Sequence, residues 1–386
     1  MRRKTHRLDN RPPFECIALL LQGGGALGAY QGGVYEALGE AGLEPDWVAG
    51  ISIGAINSAL IAGNAPQDRL ARLRDFWQSV SADPVWDWCH KMFPYLMRGD
   101  MGQSVANRLS AASVAYRGVA GFFAPQIPGP WLHQPGSPHA MSYYQCDALR
   151  LTLERLVDFD RINAAEMRFS VGAVNVRTGN FVYFDTSTHH IGPEHIMASS
   201  ALPPAFPPVE IEGEHYWDGG IVSNTPLQWV LEYGPRQDTL AFQIDLWSAR
   251  GELPSNMADV MTRHKEIQHS SRTRANSDRF KESQRLRHAL ANLLQRVPPD
   301  LLDGSDAAFL SEKADRKVYN LVQLIYRSRQ SEDSSKDYDF SRRSMEEHWC
   351  AGYYDTVRTL RHPEVLERPG NHDGVMTFDL AVDGRE

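Results

Sequence analysis

Residues 49–57, with the sequence AGISIGAIN, constrain the fold of this chain more than any other stretch. They match the pattern G-x-S-x-G, in which a serine stands on a sharp turn between a strand and a helix. Residues 47–49 can end a short buried strand, and the small apolar residues 53–62 can begin a buried helix. Gly50 and Gly54 occupy the two positions where a Cβ atom would collide with the tight backbone. Such a turn holds the Ser52 hydroxyl at a helix N-terminus, where free N–H groups favour developing negative charge.

On its own this pattern also fits a glycine-rich helix start in a packed core, because a chain of this length can match G-x-S-x-G by chance. The catalytic interpretation therefore depends on the other motifs. A nucleophilic serine needs a base that accepts its proton and hydrogen-bond donors that stabilise the oxyanion.

A glycine loop lies upstream of the serine. Residues 15–21 form an apolar run of strand length, as expected for a strand that is covered on both faces. Gly23, Gly24 and Gly25 follow, then Gly28, and residues 29–41 have helical spacing. A glycine loop between a strand and a helix presents unpaired N–H groups at the helix N-terminus.

Two functions compete for this loop. Gly23, Gly25 and Gly28 match the dinucleotide fingerprint G-x-G-x-x-G, which needs an acidic residue at the end of the next strand. Glu44 and Asp46 lie near the required distance, but they precede that strand instead of ending it. The alternative is an oxyanion hole, and the nearby serine turn favours it.

Asp218, which Gly219 and Gly220 expose on a turn, is a candidate base for this chemistry. The later histidines 264, 269 and 288 lie in a basic helical stretch and not at a recognisable strand end. An aspartate can act without imidazole if partial burial raises its pKa, so that it accepts a proton near neutral pH.

Together these motifs resemble those of the patatin-like phospholipases. The resemblance covers roughly residues 15–245 and includes the glycine loop, the serine turn and the aspartate turn in the family's order and spacing. Supporting segments are Ala198-Ser199-x-Ala201-x-Pro203, Phe206-Pro207-Pro208 and Asn224-x-Pro226. The resemblance implies a three-layer α/β/α sandwich with a mostly parallel central sheet. It also implies hydrolysis of lipid acyl esters by a Ser–Asp dyad that uses neither metal nor cofactor.

The resemblance assigns roles by position. Ser52 would be the nucleophile, Asp218 the base, and the N–H groups of Gly23, Gly24, Gly25 and Ile53 the oxyanion hole. Support for the turns would come from Gly28, Gly50, Gly54, Gly219, Gly220 and Asn224. One position departs from the family pattern, because Leu27 stands where Arg or Lys is common. This chain therefore lacks the positive charge that could bind a lipid headgroup or position the loop there.

The chain divides into three predicted parts. Residues 1–13 are basic and are expected to be a flexible arm. Residues 14–250 form the catalytic domain, in which 64–145 are a helical and irregular insertion. Residues 251–386 are expected to be a mainly helical extension that packs on the catalytic domain and includes a strand over 317–326 and a helix over 342–360.

Two segments have open interpretations. Residues 122–132, rich in aromatics and prolines, fit either a long packed loop or a lid or lipid-facing wall of the site. Residues 263–295 are basic and amphipathic, so they fit a surface helix, or less well a helix that docks on anionic lipid.

Charge and cysteine content set the remaining expectations. A net charge of −8 argues against non-specific nucleic-acid binding. Four scattered cysteines without a C-x-x-C pair disfavour a disulfide scaffold or structural zinc and favour a reducing compartment. The low-polarity run 48–63 is too short to span a bilayer. We therefore expect a cytoplasmic protein with peripheral membrane contact; its oligomeric state stays open.

Three readings of the function remain. The first is the lipid acyl hydrolase, of phospholipase A or lysophospholipase type. The second uses the same dyad as an acyltransferase or a neutral-lipid esterase, because acceptor choice depends on pocket shape. The third is a catalytically silent lipid-binding or scaffold protein.

Overall fold

The computed structural model describes residues 5–81, 110–270, 273–298, 302, 304–328, 335–370 and 374–380. The strands are β1 (Cys16–Leu21), β2 (Trp47–Gly50), β3 (Ala124–Pro125), β4 (Tyr144–Gln145), β5 (Arg168–Asn175), β6 (Phe181–Asp185), β7 (Val209–Ile211), β8 (Glu214–Asp218), β9 (Thr239–Asp245), β10 (Tyr319–Ile325) and β11 (Val375–Phe378). The helices are α1 (Ala29–Ala41), α2 (Ile53–Ala62), α3 (Pro66–Val80), α4 (Asp147–Leu156), α5 (Phe159–Asn163), α6 (Pro193–Ser199), α7 (Met257–Ser270), α8 (Thr273–Leu294), α9 (Ser305–Lys313) and α10 (Arg342–Leu360).

One large sheet organises the described residues. Its strands follow the order β11-β10-β9-β1-β2-β5-β8-β7, and β6 also pairs with β5. The pairs from β11 through β5 are parallel, while β6 and β8 run antiparallel to β5. The fold is therefore mixed α/β with a mostly parallel central sheet, as predicted.

The central strand β1 is buried on both faces, as its apolar run predicts. Ile17, Leu19 and Leu21 pack into a core that also contains residues of α1, α2 and α10. The alternate residues, among them Leu20, pack into a second core that includes Phe280 of α8. Because side chains alternate across a strand, helices cover both sides of the sheet, and the architecture has three layers.

The predicted extension shares this sheet. Strand β10 pairs in parallel with β9 from Tyr319 opposite Thr239 to Ile325 opposite Asp245, and β11 pairs with β10. The sheet therefore continues across the predicted boundary at residue 250. The sequence suggested β10 but not β11, whose four residues are too few to show a clear alternation.

Helix α10 of the extension crosses α1 at very short range. A Cβ atom added to Gly33 would lie 1.8 Å from the backbone oxygen of Trp349, and one added to Gly352 would lie 2.0 Å from that of Tyr30. The glycines thus let the two helix backbones touch, and the extension docks on the helix that follows the glycine loop.

We expect Gly33→Ala to lower the free energy of unfolding by about 2–3 kcal/mol, because its methyl group forces the two helices apart. Chemical denaturation of the whole chain measures this change. Gly39→Ala is the matched control on the same helix, since no atom lies within 4 Å of the added Cβ. The control should gain up to about 1 kcal/mol from the lower entropy of its unfolded chain. Equal stability of the two variants would contradict close packing at Gly33.

Two residues of the N-terminal segment contact the domain. Among residues 5–13, Leu8 packs on the hydrophobic core and its N–H donates to Ala41 O at 3.3 Å. Arg11 forms an ion pair with Asp46. An apolar and a charged side chain thus hold the segment on the domain, which its basic composition did not suggest.

The insertion is described only in part, since residues 82–109 lie outside the described residues. From residue 110 onward, Phe122 and Phe123 are buried, and β3 pairs antiparallel with β4 in a separate two-stranded sheet. No helix in the described ranges is both long and apolar enough to cross a membrane.

Candidate active site

Ser52 stands on the predicted turn between β2 and α2, with φ +58° and ψ −126°. The two flanking glycines are required by close approach. A Cβ atom on Gly50 would lie 2.2 Å from Gly54 O, and one on Gly54 would lie 2.2 Å from Leu21 O. A positive φ at a non-glycine residue is strained and is typical of functional sites.

Two serines at the C-terminal end of α6 hold this turn in place. The Ser52 N–H donates to the backbone oxygen and to Oγ of Ser199, both at 3.1 Å. Ser199 Oγ in turn donates to Gly172 O at 2.7 Å, and Ser200 Oγ donates to Ser52 O at 3.1 Å. The family resemblance includes Ser199 in a supporting segment but implies no role for it; in the structure it fixes the backbone of the strained residue.

Sheet register brings Asp218 to the level of Ser52. Gly50 at the end of β2 pairs with Val171 of β5, and Ala173, two residues further along β5, pairs with Asp218 at the end of β8. Ser52 also lies two residues beyond Gly50. Strand β8 runs antiparallel to β5 but pairs only with the end of β5, so its last residue, Asp218, lies at the same edge of the sheet as the serine turn.

The Asp218 carboxyl is only 1% exposed. Its Oδ1 accepts a hydrogen bond from Gly220 N–H at 2.7 Å. Oδ2 is buried and has no hydrogen-bond partner of ordinary geometry among the described residues. Burial raises the pKa of Asp218 to about 7, while the Ser52 hydroxyl and the Gly220 N–H act in the opposite direction. A carboxyl with this pKa can accept a proton near neutral pH.

The glycine loop is tied to the aspartate turn by Asn224. Asn224 Nδ2 donates to Gly23 O at 3.0 Å, and Gly23 N–H donates to Asn224 O at 3.3 Å. The amide of Gly23 is therefore already engaged. Within the described chain, the N–H groups of Gly24, Gly25 and Ile53 have no hydrogen-bond acceptor. These three amides are the ones available to an oxyanion.

Gln22 and Trp247, which were not predicted as site residues, hold the glycine loop by hydrogen bonds. Gln22 is fully buried, and its Oε1 accepts from the N–H groups of Leu246 and Trp247 at 2.6 and 3.1 Å. Trp247 Nε1 donates to Gly23 O at 3.0 Å. Neither residue belongs to a motif; the polar Gln22 at the end of an apolar strand was the available signal.

A cavity of about 180 Å³ contains Ser52, Asp218, Ile53, Gly220, Asn224 and the three loop glycines in its wall. Its apolar wall includes Phe122, Phe123, Leu202, Phe206 and, from the extension, Phe340. The extension also contributes the polar residues Lys265, His269 and Asp337. Lys265 forms an ion pair with Asp337 at 2.5 Å.

Of the three later histidines considered as a base, His269 lines the cavity. Its burial, together with the charge of Lys265, lowers its pKa to about 4, so the ring is neutral at physiological pH. In the described residues, no histidine side chain hydrogen-bonds to Ser52 or Asp218, and the backbone oxygen of His269 accepts from Asn224 at 3.2 Å.

The remaining predicted positions have structural contacts. A Cβ on Gly28 would lie 2.5 Å from Ile53 Cγ1, and one on Gly219 would lie 2.6 Å from Gly172 O. Leu27 is fully buried in the hydrophobic core, so this position presents no charge to the cavity.

The dinucleotide interpretation of the glycine loop finds no support in the acidic residues it needs. Asp46 Oδ2 accepts from Ile17 N–H at 2.7 Å, near the amino end of β1, whereas the glycine loop leaves the carboxyl end. Glu44 forms an ion pair with Arg69 at 2.5 Å. Among the described residues, no group of three or more His, Cys, Asp or Glu side chains could hold a metal ion.

Comparison with known proteins finds two family models that match this chain. A family model described as patatin-like phospholipase matches residues 19–231, more than half of the chain, and one described as patatin phospholipase matches residues 267–372. Over 60 residues, 16% of the chain, the sequence is 50% identical to lysophospholipase nte1 of Aspergillus terreus and 47% identical to that of Aspergillus niger. These matches span 4% of each relative. VipD from Legionella pneumophila has a TM-score of 0.41 and 15% identity, over 98% of this chain and 77% of that chain.

Proposed function

This chain belongs to the patatin-like phospholipase family, and from that premise we propose that it is a metal-independent serine hydrolase that cleaves acyl esters of lipids. The observation that carries the proposal is the shared cavity of Ser52, the buried Asp218 and the unbonded loop amides. A nucleophile, a base with a pKa of about 7 and oxyanion donors are the parts that acyl transfer needs.

In the first half of the reaction, Ser52 Oγ attacks the ester carbonyl carbon while the Asp218 carboxylate accepts the hydroxyl proton. The N–H groups of Gly24, Gly25 and Ile53 stabilise the negative oxygen of the tetrahedral intermediate. As the intermediate collapses, the C–O bond to the alcohol breaks, and Asp218 returns the proton to the leaving oxygen. The products are an acyl-Ser52 ester and the free alcohol.

In the second half, a water molecule attacks the acyl-Ser52 carbonyl and gives a proton to Asp218. The same amides hold the second oxyanion. Collapse then breaks the bond to Ser52 Oγ, which takes the proton back, and a free fatty acid leaves. No step requires a metal or a cofactor.

The apolar wall of the cavity supports an acyl chain as the bound group. Phe122 and Phe206 stack with ring centroids 6.2 Å apart, and Phe340 meets Phe122 edge to face at 6.0 Å. Aromatic side chains of this kind bury large apolar areas. Cytoplasmic location and peripheral membrane contact remain predictions of the sequence.

The function is tested by incubating the whole protein with phosphatidylcholine and lysophosphatidylcholine that carry labelled acyl chains, with and without EDTA. We expect labelled free fatty acid at the same rate in both. Label transferred to an added alcohol in preference to water would indicate an acyltransferase. Release that needs metal would contradict the mechanism, and no release from any ester would favour the silent lipid-binding alternative.

Activity should depend on pH through Asp218. The base must be ionised, so kcat/KM should fall about tenfold per pH unit below the pKa of about 7 and level off above it. The measurement is the rate of acid release from a short-chain ester between pH 5 and 9. Samples returned to pH 8 before assay control for irreversible inactivation. A midpoint near 4, the value of an ordinary aspartate, would contradict the assignment.

A further inference from the structure

A loop next to the cavity exposes large apolar side chains at its tip. We call residues 124–145, which β3 and β4 bound, the apolar loop. Ile127 is 86% exposed, Trp131 81% and Leu132 79%. Trp131 and Tyr143 lie side by side, with ring centroids 5.8 Å apart. Such a concentration of exposed apolar area marks a binding surface.

The apolar loop lies in an uncharged stretch of the chain. Residues 118–146 contain no Asp, Glu, Lys or Arg, although these types make up 23% of the whole sequence. The loop therefore presents apolar and amphipathic side chains and has no carboxylate, ammonium or guanidinium group of its own. Tyrosine and tryptophan favour the interface between water and a bilayer, where a ring can be buried while its polar atom stays hydrated.

The loop is continuous with the apolar wall of the catalytic cavity. The Tyr143 N–H donates to Pro204 O at 3.1 Å, and the Tyr144 N–H donates to Ala205 O at 2.9 Å. Ala205 and Phe123 line the cavity, and the Phe123 ring packs against Tyr144 at 4.9 Å. The backbone that carries the exposed tip is thus fixed to the wall that would receive an acyl chain.

We propose that the apolar loop is the surface by which this protein docks on a zwitterionic lipid layer, with Ile127, Trp131 and Leu132 inserted among the acyl chains. The proposal rests on the proposed function, because the docked loop would place the cavity over its substrate. Insertion of uncharged side chains is driven by burial of apolar area and is insensitive to salt. A basic helix would instead need anionic lipid and would release in salt.

The test compares two double variants of the whole protein. Trp131→Ser with Leu132→Ser removes the loop tip. Leu286→Ser with Leu293→Ser is the matched control, because these residues are 70% and 60% exposed on the basic helix α8. Each protein is sedimented with phosphatidylcholine vesicles at low salt and in high salt, and is assayed on vesicle lipid and on a soluble short-chain ester.

We expect the loop variant to lose at least about tenfold in vesicle partition, equivalent to about 1.4 kcal/mol. Its hydrolysis of vesicle lipid should fall in parallel, with soluble-ester hydrolysis unchanged. The control should bind like the native protein at both salt concentrations. Partition lost by the α8 variant and kept by the loop variant would overturn the proposal in favour of the basic helix.

Two further outcomes are decisive. If the loop variant partitions normally but converts a native dimer to a monomer in sedimentation equilibrium, the loop binds a second copy and the proposal is wrong. If the native protein binds vesicles through the loop but hydrolyses no ester, docking stands and the proposed enzymatic function fails. The two proposals can therefore fail separately.

Discussion

Ser52→Ala is expected to lower kcat for ester hydrolysis by about 10³-fold or more, while the variant folds normally. The hydroxyl is the atom that forms the acyl-enzyme bond, and removal of a nucleophile abolishes this route. The backbone contacts that hold the turn come from Ser199 and Ser200 to the main chain of residue 52, so alanine keeps them. The measurement is the initial rate of both proteins on a soluble ester. Mass spectrometry of the native protein should also detect an acyl or phosphonyl adduct on Ser52.

Ser58→Ala is the matched control for this loss. Ser58 lies on the same helix α2, is fully buried, and its Oγ has no hydrogen-bond partner among the described residues. Its replacement should leave kcat within about threefold of the native value, as expected for a position outside the site. Full activity of the Ser52 variant, or an adduct on another residue, would show that the strained serine is not the nucleophile.

The parts of the site that the sequence predicted are local. An apolar run, a glycine loop and a helix follow directly from residue type. Strand β1 begins one residue after the start of the predicted run 15–21, and α1 spans the predicted 29–41. The serine turn was equally readable, because the backbone contacts that require Gly50 and Gly54 arise within a few residues and against the adjacent strand. Asp218 was harder: its pairing with Ser52 depended on the family resemblance.

The parts that the sequence did not predict depend on contacts between distant residues. Lys265 and Asp337 enter the cavity from the extension, and their spacing in the chain contains no sign of this. The engagement of the Gly23 amide by Asn224 joins residues about two hundred positions apart. Both contacts depend on how helices and loops from distant parts of the chain pack together, and local propensity does not determine that packing.

Asp218→Asn is expected to lower kcat by a similar factor of about 10³, because an amide cannot accept the serine proton. Asp245→Asn is the matched control. Asp245 is also almost fully buried, and burial raises its pKa to about 7 as well, but it lies outside the catalytic cavity. Initial rates on a soluble ester should be lost only in the Asp218 variant. Equal loss in both variants would indicate a general effect of removing a buried carboxyl.

The stability of Asp218→Asn distinguishes a catalytic loss from misfolding. A misfolded variant would be less stable than the native protein, whereas loss of the buried charge should make the variant more stable. The folded protein holds the Asp218 proton more tightly than the unfolded chain, since its pKa is about 7 against an ordinary 3.8. The free energy of unfolding therefore falls as the pH rises from about 4 to 7, and the ionised carboxylate destabilises the fold at pH 8. A neutral amide relieves this cost, by at most about 4 kcal/mol at 1.36 kcal/mol per pH unit. Asp218→Asn should thus be inactive yet more stable than the native protein at pH 8, with the difference in Tm shrinking toward pH 5. A variant that is inactive and less stable at pH 8 would contradict a buried, ionisable base at this position.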